Sequence, residues 1–149
     1  RDFPQLTIVL NGGITSAEAM ARHLEVFDGV MLGRAAYDDP YLFARFDAAE
    51  GVPDVPSRAA VMARFLPFAC EQVAAGVPPR SMFRHVLGLY QSRPGARTFR
   101  RRLTEALAGE LKVGAAGHAE LAERSGRLVR AAVTEVETRA ASRHAPIPA

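Results

Sequence analysis

Leu6-Thr7-Ile8-Val9-Leu10 running into Asn11-Gly12-Gly13, and Gly29-Val30-Met31-Leu32 running into Gly33-Arg34, decide the fold of this chain. Each apolar run reads as a β-strand, a glycine turn follows it directly, and a helical pattern follows the turn. Gly13 and Gly33 lie 20 residues apart. Strand, glycine turn, helix, repeated once, is the pattern of the last two units of a (β/α)8 TIM barrel that holds a phosphate. A residue without Cβ lets backbone N–H groups touch phosphate oxygens, and a helix N-terminus adds partial positive charge. The chain opens at Arg1 and enters a strand almost at once, and two strands cannot close a barrel. The expectation is therefore the C-terminal portion of a longer protein, with about six βα units upstream.

Outward from these turns, Thr15 reads as a helix N-cap with Glu18 completing a capping box, and Met20, Ala21 and Leu24 supply an apolar face. Asp28-Gly29 turns the chain into the second strand. A short helix is expected over Arg34–Tyr37, then Asp39-Pro40 as N-cap and first helical residue, opening Tyr41–Phe46. Residues 47–56 hold two prolines, one glycine and three acids with little periodicity. They read as a linker between a barrel end at 1–46 and a helical domain at 57–141, with a fraying tail at 142–149.

The helical domain shows no strand pattern. Ser57 caps a helix to Ala75 that carries Val61, Phe65, Ala69 and Val73 near helical spacing, with Pro67 expected to kink it. A second helix, Ser81–Gln91, places Phe83, Val86, Leu87 and Tyr90 on one face; a third, Ala96–Ala108, buries Phe99, Leu103 and Leu107. After a loose turn at Gly114–Gly117, a last helix from about Ala119 to Arg139 stacks Leu121, Leu128, Ala132 and Val136. The fold class is α/β plus all-α: two barrel units followed by a helical bundle.

The 149 residues are 48% apolar, but no apolar run approaches the length that spans a bilayer, and nothing resembles a signal peptide. Cys70 is the only cysteine, which excludes an intramolecular disulfide and a cysteine-based zinc cluster, so no metal is expected. One cysteine suits the reducing cytoplasm, where a monomer is expected.

The formal charge is +3, and Lys112 is the only lysine, so the positive charge is almost wholly arginine. No acid lies between Glu71 and Glu105, a stretch that carries Arg80, Arg84, Arg93, Arg97, Arg100, Arg101 and Arg102 with His85. At 100° per residue, Arg97, Arg100 and Arg101 oppose Phe99, Leu103 and Leu107. One helix face then packs on the bundle while the other presents a cationic strip suited to phosphate backbones. An ordinary solvated face is the alternative; a membrane surface would also attract the strip, but the opposite face is committed to the bundle core, so no membrane partner is expected.

In order along the chain, these motifs resemble the tRNA-dihydrouridine synthases, particularly the A-type bacterial subfamily of the 20/20a type. The resemblance rests on Asn-Gly-Gly-Ile (Asn11–Ile14), Asp-Gly-Val-Met-Leu-Gly-Arg-Ala-Ala-Tyr (Asp28–Tyr37) and Asp39-Pro40-Tyr41. It continues in His-Val-Leu-Gly-Leu-Tyr (His85–Tyr90), Pro-Gly-Ala-Arg (Pro94–Arg97) and Phe99-Arg100-Arg101, so that it covers Leu6–Leu107. Phe99 stands where the family pattern has tryptophan, and the chain beyond Leu107 matches less well. The resemblance implies an FMN-binding barrel, with Asn11, Gly12, Gly13, Gly33 and Arg34 on the FMN phosphate. It also implies a tRNA-binding helical domain, in which Arg97 and Arg100, with Arg101 beside them, contact the RNA.

The reaction implied is reduction of a uridine C5–C6 bond in the tRNA D-loop, with NADPH reducing the flavin and a cysteine acting as proton donor. That cysteine belongs to an upstream barrel loop, so no catalytic residue is expected in this chain, and Cys70 reads as a small buried hydrophobe. Two other readings remain: another FMN-phosphate-binding TIM-barrel oxidoreductase acting on a small molecule, and a non-catalytic RNA-binding helical module.

Overall fold

The computed structural model of the chain describes residues 3–109 and 117–142, which are mostly helical with one two-stranded parallel sheet. The chain divides into two compact units, Arg1–Val55 and Pro56–Ala149.

In the first unit β1 (Val9–Asn11) and β2 (Gly29–Met31) run in parallel, Val9 opposite Gly29 and Asn11 opposite Met31. Both strands are shorter than the apolar runs that announce them. At Ile8 a side chain takes over from the ladder: the Ile8 N–H donates to Asp28 Oδ2 at 2.9 Å, and the Asp28 N–H donates to Ile8 O at 3.1 Å. Helix α1 (Ala17–Leu24) follows β1, and its cap is Ser16 rather than Thr15. Ser16 is extended at φ −141°, and its Oγ accepts from the Ala19 N–H at 3.2 Å. Glu18 therefore falls in the first turn but one position short of a capping box. Its carboxyl is held below the usual carboxylate range, first by its own backbone N–H and then by Ser16. Met20 is buried on α1, whereas Leu24 is exposed.

Helix α2 (Arg34–Asp38) leads to α3 (Leu42–Ala49). Asp39 organises the join: Oδ1 accepts from the Tyr41 N–H at 3.2 Å, and Oδ2 pairs with Arg45 at 2.8 Å. The helix starts at Leu42 and runs on to Ala49, past the point where the linker is expected. Nothing in Asp47-Ala48-Ala49 breaks a helix, and the first proline comes only at Pro53. Ile14, Met20 and Leu42 form the buried centre of this unit.

The second unit holds α4 (Arg58–Ala74), α5 (Pro79–Phe83) with a 3-10 turn at Arg84–Val86, α6 (Ala96–Gly109) and α7 (Gly117–Ser142). The Ser57 Oγ caps α4 from the Ala60 N–H at 3.1 Å, and the helix continues through Pro67. Its buried face is Met62, Leu66, Ala69 and Val73, while Val61 and Phe65 are half-buried flanks. Helix α7 packs against both α4 and α6. It approaches α4 closely because Gly126 has no side chain: a Cβ there would lie 3.0 Å from Cys70 Sγ. Val129, not Leu128, is the fully buried residue in the middle of α7. The turn at Gly114–Ala116 and the tail beyond Ser142 lie outside the described residues.

The chain from Ser81 to Gln91 is not one helix. After Phe83 it winds through turns in which the Leu89 N–H donates to Val86 O and the Gln91 N–H donates to Gly88 O, at 3.0 and 2.8 Å. Tertiary packing overrides the helical periodicity here. Leu89, which lies off the face that Phe83, Val86, Leu87 and Tyr90 would share in a helix, is 1% exposed, whereas Leu87 is only half-buried. Arg58 Nε secures the turn by donating to Leu89 O at 2.9 Å. Tyr90 then joins three segments, its ring 4.7 Å from that of Phe99 on α6 and its hydroxyl donating to Glu137 Oε1 on α7 at 2.8 Å.

Burial first, and then the Glu137 carboxylate, raise the Tyr90 phenol well above the ordinary tyrosine range. The folded state thus keeps its proton where an unfolded tyrosine, near pH 10, loses it. Stability from this group is fully present below about pH 10 and falls as pH rises further. Tyr90→Phe is expected to cost about 1 kcal/mol near neutral pH. The gap to wild type should narrow between about pH 9 and pH 11, as read by denaturant unfolding at each pH.

Candidate functional site

The Asn11-Gly12-Gly13 turn takes a path that most residues resist, with Gly12 at φ +108° and Gly13 at φ +72°. It carries the chain from the end of β1 back toward the start of α1. On the neighbouring strand, Gly33 joins β2 to α2 at φ −89°, so its value here is the absence of a side chain rather than a left-handed backbone. A Cβ at Gly12, Gly13 or Gly33 would meet no atom within 4 Å. These positions border open space. That space is a cavity of about 480 Å³ lined by Asn11, Gly12, Gly13, Gly33 and Arg34 together with Met31 and Asp38.

All five residues to which the sequence assigns a phosphate thus face one concavity, because parallel pairing sets the ends of β1 and β2 side by side. Arg34, the first residue of α2, brings a guanidinium to its edge. Asp38, one helical turn later, lines the same cavity, and its negative charge opposes an anion there. Its i+4 spacing from Arg34 is the only sequence signal for it. Exchanging this charge tests the sign of the site. Asp38→Asn is expected to tighten, and Arg34→Gln to weaken, the binding of inorganic phosphate by about threefold each, measured by phosphorus NMR titration. The opposite order would assign the cavity to a cation.

In the second unit Arg97, Arg100 and Arg101 lie exposed on α6, while Phe99 and Leu103 on its other side are each 1% exposed. Leu107 is half-buried. The absence of acids in the surrounding sequence does not carry over to space. Arg101 reaches Glu105 at 3.7 Å, and Arg102 pairs with Glu135 of α7 at 3.3 Å. Arg100 donates to the neutral Gln91 at 2.7 Å, and among the described residues neither Arg97 nor Arg100 enters an ion pair. The three arginines therefore divide. Arg97 and Arg100 keep their charge available, and Arg101 shares its charge with an exposed carboxylate, a contact worth little in water.

Arg97 also lines a cavity of about 600 Å³ at the start of α6, with Arg93 and Arg139. Arg139 could be found only from the fold, because it lies 42 residues beyond Arg97 in the chain. Cys70 borders a mainly apolar groove between α4 and α7, where Sγ donates to Ala122 O at 3.5 Å and burial raises the thiol pKa against the pull of Arg130. It is a thiol, not a thiolate nucleophile. Among the described residues there is no cluster of three or more metal-ligating side chains, and no helix is long and apolar enough to cross a membrane.

Residues 1–122 match the family described as Dihydrouridine synthase (Dus). A tRNA-dihydrouridine(20/20a) synthase of Xylella fastidiosa strain Temecula1 is 47% identical over 105 residues, which is 70% of this chain and 32% of that protein. A protein of the same name from Pseudomonas aeruginosa is 46% identical over 106 residues, and one from Vibrio cholerae is 43% identical over 107. Each covers 70% of this chain. The chain spans about a third of the length of the curated relatives it matches.

Proposed function

The chain belongs to the dihydrouridine synthase family, and from that premise we propose that it supplies the cofactor-phosphate turns and the RNA-binding helices of a tRNA-dihydrouridine synthase. The reaction is reduction of uridine to 5,6-dihydrouridine in the D-loop of tRNA. The observation that carries this reading is the convergence of Asn11, Gly12, Gly13, Gly33 and Arg34 on one cavity, in a chain whose relatives are named for that activity. The short parallel sheet supports placing it at the end of a (β/α)8 TIM barrel, as strands 7 and 8 with their helices. Val9 and Met31 are 54% and 47% exposed, whereas parallel strands in a complete barrel are covered on both faces.

The residues present fit FMN in one respect, its phosphate. Left-handed glycines leave backbone free of side chains beside an open cavity, and Arg34 supplies a charge of the right sign. Asn11, Gly12, Gly13, Gly33 and Arg34 would hold that phosphate. FMN, once bound and reduced by NADPH, is the source of redox chemistry that no side chain of this chain provides. The chain's own part is to bind and orient. No proton donor is assigned in it, since Cys70 lies in the α4–α7 groove of the second unit and is kept protonated by burial. Arg97 and Arg100 would hold tRNA phosphates, with Arg101 contributing less because Glu105 stands beside it. The enzyme so described acts as a monomer in the cytoplasm, with tRNA as its macromolecular partner.

The second unit by itself supports a narrower reading, an RNA-binding helical module. What favours it is that the unit is compact and carries Arg97 and Arg100 without carboxylate partners among the described residues. Both readings are tested in the whole protein. Arg97→Glu with Arg100→Glu is expected to weaken tRNA binding by about tenfold or more and to leave the flavin absorbance unchanged. Gly13→Val with Arg34→Gln is expected to lower flavin content and spare tRNA binding. Loss of flavin in the first double variant would overturn the division of labour.

A further inference from the structure

The cavity at the start of α6 gathers charge from distant parts of the chain. Arg93 and Arg97 flank the Pro94-Gly95 turn, and Arg139 arrives from the last turn of α7. The turn is held in shape by Gly95 at φ +87°, where a Cβ would lie 2.9 Å from Val136 Cγ2 of α7. Arg139 is fixed rather than loose. Its Nη1 donates to Thr98 Oγ1 at 3.1 Å, and its Nη2 donates to Glu135 Oε1 at 3.0 Å. Glu135 also receives Arg102 Nε at 3.3 Å through its other oxygen. One carboxylate is thus shared by two guanidiniums. Among the described residues no carboxylate lines the cavity, and Arg93 and Arg97 enter no ion pair.

We propose that this cavity is a phosphate subsite for the RNA backbone, in which Arg93 and Arg97 close on one phosphodiester and Arg139 supplies the third cationic edge. The inference rests on the reading of the second unit as RNA-binding and adds to it Arg93 and Arg139. A phosphodiester suits the site because guanidinium forks match its oxygens and because the rim keeps a net positive charge even with Glu135 paired to Arg139. Thr98 and Glu135 act here as positioning residues for Arg139, since they orient a guanidinium that keeps further N–H donors. An anionic membrane fits less well, because the apolar residues nearest the arginines on α6, Phe99 and Leu103, are buried in the unit and unavailable for insertion. Such a contact fixes the position of the RNA without reading its bases.

The test is the binding of the full chain to an unmodified tRNA transcript over a salt series. Arg93→Gln with Arg139→Gln should weaken binding at least about tenfold at low salt. The same pair should flatten the slope of log K against log salt by about 0.7 to 0.9 per arginine. Arg93 lies outside any helix, and its hydrogen bonds to Tyr90 O and from the Ala96 N–H are backbone bonds that glutamine keeps, so the flattening of about one such step in Arg93→Gln alone stands even where Arg139→Gln disturbs the α6–α7 join. Arg127→Gln, on α7 and paired with Glu123, should leave slope and affinity as in wild type. A wild-type slope in the Arg93→Gln variant overturns the subsite while tRNA binding itself survives. Failure of the wild-type chain to bind tRNA overturns the RNA reading and the subsite together. Preference for phosphatidylserine vesicles over tRNA also overturns the subsite.

Discussion

Left-handed backbone at glycine is the constraint on which both candidate sites depend. Gly12 and Gly13, at φ +108° and +72°, turn the chain out of β1 and into the cap of α1, and Gly95, at φ +87°, turns it into α6. In each place a side chain would cost conformational strain, and at Gly95 it would also strike Val136. Each turn opens a concavity beside the first residues of a helix, with an arginine at its edge: Arg34 in the first unit and Arg97 in the second. A turn that leaves backbone exposed and a guanidinium that is always charged are together a means of holding phosphate. The same physical device therefore serves, in our reading, a cofactor phosphate in one unit and RNA phosphates in the other.

Charge in the second unit is set by helix packing more than by order along the chain. The long acid-free run around α6 implies an unrelieved cationic strip, but α7 returns Glu135 to the neighbourhood of Arg102 and Arg139. Glu135 neutralises one of two guanidiniums and in doing so fixes both. This converts a diffuse basic face into an ordered one, with Arg97 and Arg100 left unpaired by carboxylates among the described residues. Exposed ion pairs such as Arg101–Glu105 add little to stability. Their effect is on how much charge a polyanion meets and where it meets it.

The α6–α7 join is secured by aromatic packing as well. Tyr90 packs its ring against Phe99 at a tilt of 52° and reaches Glu137 from a segment that leaves α-helical geometry after Phe83 and buries Leu89. Phe99 has no ring N–H and so needs no hydrogen-bond partner in this buried position. The polar contact of the cluster comes from the Tyr90 hydroxyl instead.

The residues themselves determined the local elements: a strand before each glycine turn, Ser57 as the cap of α4, and an apolar stripe on α6 that sends Arg97 and Arg100 to the outside. These are short-range features, governed by Cβ sterics, capping geometry and the helical repeat, and they are written in neighbouring residues. The choice between Thr15 and Ser16 as the cap of α1 was already beyond them, since both hydroxyls suit the role and only the path out of Gly13 selects one. So was the break of the helix after Phe83, which depends on Arg58 and Glu137 reaching Leu89 and Tyr90 from afar. Tertiary structure decided that Asp38 lines the cavity with the glycine turns, that Arg139 stands with Arg97, and that Glu135 relieves Arg102. Coulomb and hydrogen-bond interactions act through distance in space, and the sequence orders residues only along the chain.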